Sequence, residues 1–298
     1  MIIEARNIEK RFGRHEALSG LSFSVAEGSV YALIGANGTG KTTTIKMMMN
    51  IIAPTLGDLA VMGTPSRELT SHHLSQIGYV SESQVLPGQM AVGAYLDYLR
   101  PFYSNWDGEL EKAMLRRFKL PMERKIRALS HGMRIKVALV AALAFKPKLL
   151  VLDEPFSGLD PLVRDDLIES VLSHAEDLTI FISSHELNEI EGFVSDIGFL
   201  DQGRLLFENS IEALNARVRL IRVTLQSAAR PPDTLPGAWI DPGTSGNVLS
   251  FVHTAFAEDR LASEISAFFG DVKFVQAEPM DLRSIFTAFA RAEQIKGA

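Results

Sequence analysis

The sequence predicts an α/β fold, and three observations carry that expectation. A glycine-rich loop, Gly35-Ala36-Asn37-Gly38-Thr39-Gly40-Lys41-Thr42, stands between an apolar run and a segment of helical length. A second apolar run, residues 149–152, ends in two carboxylates, Asp153 and Glu154. A third, residues 179–183, follows a helix-like stretch at 161–174, and strands alternating with helices build a parallel sheet. Of the 298 residues 46% are hydrophobic and 22% charged, which excludes collagen-like, coiled-coil and wholly disordered chains.

Taken in order, residues 2–8, 21–25 and 30–34 alternate or are apolar throughout, are separated by Gly13, Gly20 and Gly28, and read as strands. Residues 42–52 read as a helix closed by Pro54 and Gly57. From 92 to 120 the apolar positions keep a helical rhythm broken by Pro101, Gly108 and Pro121, and 132–145 continue as a helix. A helical subdomain over about residues 85–145 is therefore expected. Within it Phe102, Tyr103 and Trp106 read as helix-packing aromatics and the charges from 109 to 127 as a solvated face, while Met47-Met48-Met49 reads as core packing. Beyond about residue 215 the texture changes: Arg230-Pro231-Pro232, Pro236-Gly237, Pro242-Gly243 and Ser245-Gly246 cut the chain into short pieces. Residues 221–225, 248–253 and 272–277 read as strands, and 258–269 as a helix stopped by Gly270 acting as a glycine cap. Two domains are expected, residues 1–215 and a small C-terminal α/β accessory domain, 216–298.

Composition also excludes functions. Lys and Arg total 30 against 36 for Asp and Glu, a net charge of −6, the wrong sign for a chain that mainly neutralises nucleic-acid phosphates, so no nucleic-acid partner is expected. The lack of cysteine excludes a disulfide framework, a thiolate metal site and a cysteine nucleophile. His72 and His73 have no companion ligands at metal spacing and read as surface residues. The apolar stretch 137–145 is about half the roughly 20 residues that span a bilayer. The start, Met1-Ile2-Ile3-Glu4-Ala5-Arg6, has neither the basic opening nor the apolar core of a signal peptide, and a cytoplasmic chain is expected.

The loop matches G-x-x-x-x-G-K-[ST] in the context that pattern demands, after a strand and opening a helix. Glycines let successive backbone N–H groups turn inward around a phosphate, the helix N-terminus adds its positive end, and Lys41 brings a full charge to the terminal phosphates. Gly35, Asn37, Gly38, Thr39, Gly40, Lys41, Thr42 and Thr43 form the candidate phosphate cradle, with Thr42 offering its hydroxyl to Mg²⁺. Asp153 would hold Mg²⁺ through water, and Glu154 would take a proton from the attacking water. An Asp-Glu pair alone reads as a solvated strand end; the glycine loop changes that reading.

Three further segments stand in order around the acidic strand. Leu129-Ser130-His131-Gly132-Met133 precedes it, Ser157-Gly158-Leu159-Asp160 follows it, and Ser184-His185 ends the next strand. Over about residues 2–212 the chain resembles the ATP-binding subunits of ABC transporters. The resemblance implies a P-loop ABC ATPase domain with a helical subdomain, using ATP and Mg²⁺, at the cytoplasmic face of the membrane and docked on separate transmembrane permease subunits. It implies a head-to-tail homodimer or heterodimer in which the Lys41 loop of one subunit and Ser130 and Gly132 of the other enclose one ATP. Asp160 then links the two sites, His185 contacts the γ-phosphate, Phe12 stacks on adenine, and Glu82 lies in the loop that senses Mg²⁺ and the membrane partner. Without the resemblance Phe12 reads as core.

The signature departs from the family's usual Leu-Ser-Gly-Gly-Gln at His131 and Met133, and Glu82 stands where most members carry glutamine. The Leu-Ser-x-Gly-Met form, with Phe102-Tyr103-Ser104-Asn105-Trp106-Asp107, resembles the ABC-2 branch of antibiotic and cell-envelope stress exporters. A soluble ABC-type ATPase acting on nucleic acid or ribosomes is the main rival. Against it stand the single cassette, the absence of sustained heptads and the acidic balance. A small-molecule kinase would leave the 129–133 segment and Asp160 without a role.

Overall fold

The computed structural model describes residues 1–173, 178–227 and 235–296. His174 and the Arg230-Pro231-Pro232 break lie outside the described residues. The chain divides into two compact units, Met1–Glu208 and Asn209–Ala298.

The first unit opens with β1 (Ile3–Phe12) and β2 (His15–Val25), which pair antiparallel. After β3 (Val30–Ile34) and α1 (Lys41–Met48) come β4 (Leu56–Val61) and β5 (Thr64–Pro65), which complete a four-stranded sheet of order β2-β1-β4-β5. Next are α2 (Ser71–Leu74), β6 (Ile77–Ser81), α3 (Val92–Leu99), α4 (Gly108–Arg117) and α5 (His131–Leu143). The unit ends with β7 (Leu149–Asp153), α6 (Pro161–Leu172), β8 (Thr179–Ser184), β9 (Asp196–Asp201) and most of β10 (Arg204–Ser210). A second sheet has the order β10-β9-β3-β8-β7-β6, and its pairs β9/β3, β3/β8, β8/β7 and β7/β6 are parallel.

Every residue of β7 and β8 is buried, which is why both read as continuous apolar runs: central parallel strands are covered on both faces. Phe23 of the antiparallel sheet stacks on Tyr31 of β3 at 5.6 Å between centroids, and Tyr31 stacks on Phe181 of β8 at 5.6 Å. Met47 and Met48 are fully buried in the same core. Register brings the carboxyl ends of the parallel strands level, with Ser81 opposite Asp153, Asp153 opposite Ser183, and Ser184 opposite Ile34. The loops that follow β3, β6, β7 and β8 leave from this edge, the end at which open α/β sheets bind ligands.

The helical segment differs from its sequence reading in two places. Glu111 is buried, accepting from Trp106 Nε1 at 2.7 Å and Arg100 at 3.0 Å, so one carboxylate of the supposed solvated face is internal. Phe102 is 64% exposed, against Tyr98, and does not pack into a helix interface. Tyr103 does pack, stacking on Phe145 at 4.0 Å.

In the second unit α7 (Ile211–Arg217) precedes β11 (Arg219–Leu225), β12 (Trp239–Ser245), β13 (Val248–His253), α8 (Glu258–Phe268), β14 (Val272–Pro279) and α9 (Leu282–Lys296). The strands form an antiparallel sheet of order β12-β13-β11-β14. Trp239 stacks on Phe251 at 4.3 Å in a core with Ile221, Val223, Leu249 and Ile265. α8 ends with Phe269 extended (φ −123°, ψ 126°) and Gly270 is not among the positive-φ glycines, so the expected glycine cap is not formed. β12 runs through Pro242-Gly243, where the sequence predicts a break; Asp241 at φ +52° and a register shift between Ile240 and Gly243 absorb the proline as a bulge. Among the described residues no helix is long and apolar enough to cross a membrane.

Candidate active site

The loop after β3 owes its shape to glycine. Gly40, the N-cap of α1, has φ +112°, and a Cβ there would lie 2.5 Å from Leu18 Cδ2 and 2.9 Å from the Ala17 carbonyl. At Gly35 a Cβ would lie 2.2 Å from the Leu200 carbonyl. With no side-chain cap on α1, its first N–H groups are left for a ligand, the arrangement that favours a phosphate. Gly38, at φ +84°, and Asn37 are exposed along the loop, Thr39 is buried with its hydroxyl donating to Ala36 O at 2.9 Å, and Thr43 is half-buried.

Lys41 is 5% exposed. A buried ammonium needs partners, and it donates to Gly35 O at 2.6 Å and Ala36 O at 3.1 Å and pairs with Glu154 Oε1 at 3.0 Å. The other oxygen of that carboxylate, Oε2, accepts from His185 Nδ1 at 2.7 Å and the His185 backbone N–H at 3.2 Å. An ionised carboxylate only accepts, so Nδ1 carries the proton. This bond with Glu154 holds the imidazole above its ordinary pKa. Glu154 itself sits at φ +53°, a left-handed conformation costing a bulky residue about 1–3 kcal/mol and found at functional sites.

Asp153 lies at the end of β7, 4% exposed. Its Oδ1 accepts from Thr42 Oγ1 at 3.1 Å and Ser183 Oγ at 2.7 Å. Burial pushes this carboxyl up, and the hydrogen bonds from Ser183 and Thr42 oppose it. Lys41, Glu154 and His185 thus form one set and Thr42, Asp153 and Ser183 another, and the Glu154 N–H, donating to Ser183 Oγ at 3.1 Å, joins the two into one group.

Glu82 joins that group at one remove: its N–H donates to Asp153 O at 3.0 Å and its Oε1 accepts from Ser157 Oγ at 3.0 Å. Ser130 caps α5, accepting from Met133 N–H at 3.3 Å. Asp160 caps α6, accepting from Val163 N–H at 3.1 Å. A Cβ on Gly132 would lie 3.1 Å from Val163 Cγ1, so these two helix starts are neighbours. None of Ser130, Gly132 and Asp160 bonds to the Lys41–Glu154 group among the described residues. Phe12, 49% exposed with Lys10 Nζ 4.9 Å over its ring, is a surface aromatic and not the core residue its hydrophobicity suggests when taken alone.

The sequence reading missed Ser157, Ser183 and the pair behind His185, in which Ser184 donates to buried Glu189 at 2.6 Å. The signal was present. Two serines finish an otherwise apolar strand, as Asp153 and Glu154 do in the neighbouring one.

A glycine cradle around a buried lysine, with two carboxylates at the adjoining strand end, defines a phosphate-binding α/β NTPase. The ABC transporter family model matches residues 18–157. A bacitracin transport ATP-binding protein of Enterococcus faecalis is 33% identical over 238 residues, covering 73% of this chain and 72% of that protein. A Nod factor export ATP-binding protein of Burkholderia lata is 34% identical over 218 residues, covering 71% and 72%. A solved structure of the ATP-binding subunit of an ABC transporter aligns with a TM-score of 0.67 at 27% identity, over 72% of this chain and 92% of that one. The chain belongs to the ABC transporter family, as an ATP-binding subunit that hydrolyses ATP.

Proposed function

We propose that this chain drives export through separate permease subunits at the cytoplasmic membrane face, closing with a second ATP-binding subunit around shared ATP. The observation that carries the chemistry is the bridging carboxylate of Glu154, held between Lys41 at 3.0 Å and His185 at 2.7 Å. Lys41 exchanges the Gly35 and Ala36 carbonyls and Glu154 for the terminal phosphates. Glu154 Oε1, released from Lys41, accepts the proton of the attacking water, and His185 keeps the other oxygen fixed. The Thr42 hydroxyl and the Asp153 carboxylate, hard oxygen donors 3.1 Å apart, suit Mg²⁺; when bound, Mg²⁺ neutralises phosphate charge.

Ser130 and the backbone at Gly132, at the start of α5, supply donors to the γ-phosphate held by the other subunit. Asp160 links the two sites, and Phe12 offers its exposed ring to adenine. Glu82 ties the metal edge to the permease side, where a groove of about 430 Å³ lined by Ile51, Tyr79, Gln84, Tyr95, Leu99 and Tyr103 suits a partner helix. Residues 216–298 form an accessory domain. Transport is supported by the bacitracin transport relative and its outward direction by the Nod factor export relative. ATP turnover of the purified chain, followed against protein concentration with and without nucleic acid, tests the reading. A rate per chain that rises with concentration and ignores nucleic acid is expected; stimulation by nucleic acid would favour the rival ATPase class.

A further inference from the structure

We infer that Ser183 is the positioning residue that sets both carboxylates of the site, aiming Asp153 and holding Glu154 in its left-handed turn. Ser183 is fully buried near the end of β8, directly opposite Asp153 in the parallel register. The Glu154 N–H donates to Ser183 Oγ at 3.1 Å and to Ser183 O at 3.2 Å. An amide can only donate, so Ser183 Oγ is the acceptor there and its own proton is free for Asp153 Oδ1, 2.7 Å away. The hydroxyl therefore has one assigned direction. It is a relay that fixes where the Asp153 carboxylate points and, through the backbone, where the Glu154 side chain leaves the strand.

Thr42 donates to the same Oδ1, at 3.1 Å. With both donors on Oδ1, Oδ2 has no hydrogen-bond partner among the described residues, and the lone pairs of Thr42 Oγ1 are left for a cation. Alanine at 183 keeps the backbone carbonyl contact to Glu154 and loses both hydroxyl bonds. Asp153 then keeps a single, longer bond, and its buried carboxylate can turn. Valine and threonine at this position have nearly the same shape and suit a strand, and only threonine retains the hydroxyl.

This inference rests on the proposed reading that Asp153 holds the divalent cation. The test uses the full chain and a fluorescent non-hydrolysable ATP analogue, titrated in EDTA and in Mn²⁺, with ATP turnover measured in parallel. For Ser183→Ala and Ser183→Val the affinity in EDTA should stay within about twofold of the parent. The tightening on adding Mn²⁺ should fall about 10- to 100-fold, the equilibrium equivalent of one hydrogen bond to a charged group, and turnover should fall with it. Ser183→Thr should restore both. Equal behaviour of the valine and threonine variants would overturn the inference, because shape and not the hydroxyl would then matter. If the parent itself shows no tightening with Mn²⁺, the cation reading of Asp153 fails and the inference falls with it.

Discussion

Replacing Glu154 with glutamine keeps the side chain's shape and removes its charge and its ability to accept a proton. Loss of a positioned general base costs about 10²- to 10⁴-fold in rate, or roughly 2.7–5.5 kcal/mol on the barrier. The same change has an opposite effect on nucleotide binding. Lys41 and Glu154 are 5% and 14% exposed as side chains, and breaking a buried ion pair from one side costs about 3–5 kcal/mol as an upper bound. Here Gly35 O and Ala36 O remain as partners of the lysine, so the cost should fall toward the lower part of that range. The free variant should therefore melt earlier than the parent. It should gain more from ATP, because the phosphates no longer compete with Glu154 for Lys41. Single-turnover hydrolysis of labelled ATP measures the chemistry, and melting with and without ATP measures the second effect. Hydrolysis at the parental rate would remove Glu154 from its role, and an unchanged melting gain with ATP would refute the competition for Lys41.

Other changes have outcomes of the same kind. Lys41→Ala should weaken nucleotide affinity itself, and an unchanged dissociation constant would count against the phosphate cradle. The Glu154 bond raises the His185 imidazole; its contribution to stability is fully present below the unfolded value near 6.5 and is lost as pH rises through the higher folded value. His185→Ala should therefore differ most from the parent in thermal stability at acidic pH and least at alkaline pH, and a gap that widens upward would reverse the assignment. Glu111→Ala, which strands Trp106 Nε1 and loosens Arg100, should cost about 1–3 kcal/mol in chemical denaturation, whereas a surface residue would cost almost nothing.

What the sequence made legible was chemistry written in adjacent residues. Gly40 and Lys41 announce a phosphate loop because a positive φ, a helix start and a charge coincide within a few positions. Asp153 and Glu154 stand out because they close an apolar strand. The buried state of Glu111 was not legible, since its partners Arg100 and Trp106 reach it across a bend that the helical rhythm does not encode. Ser183 acquires its function only when register sets β8 beside β7, a pairing between residues 30 positions apart. Pro242-Gly243 looked like a break because a bulge admits a proline that a regular strand excludes. The contact of Ser157 with Glu82 likewise joins two loops far apart in the chain.

The proposed closure of two chains around each ATP is measured most directly by mixing two inactive variants. Lys41→Ala lacks the cradle cation and Ser130→Phe blocks the facing helix start, so each variant alone should be inactive. In a symmetric head-to-tail dimer the mixed pair has one site with both defects and one with neither. An equal mixture of the two variants should therefore recover about a quarter of the parental ATPase rate, since about half the dimers are mixed and each has one intact site of two. A mixture no faster than its inactive components would contradict the shared site, and so would full activity from Ser130→Phe alone.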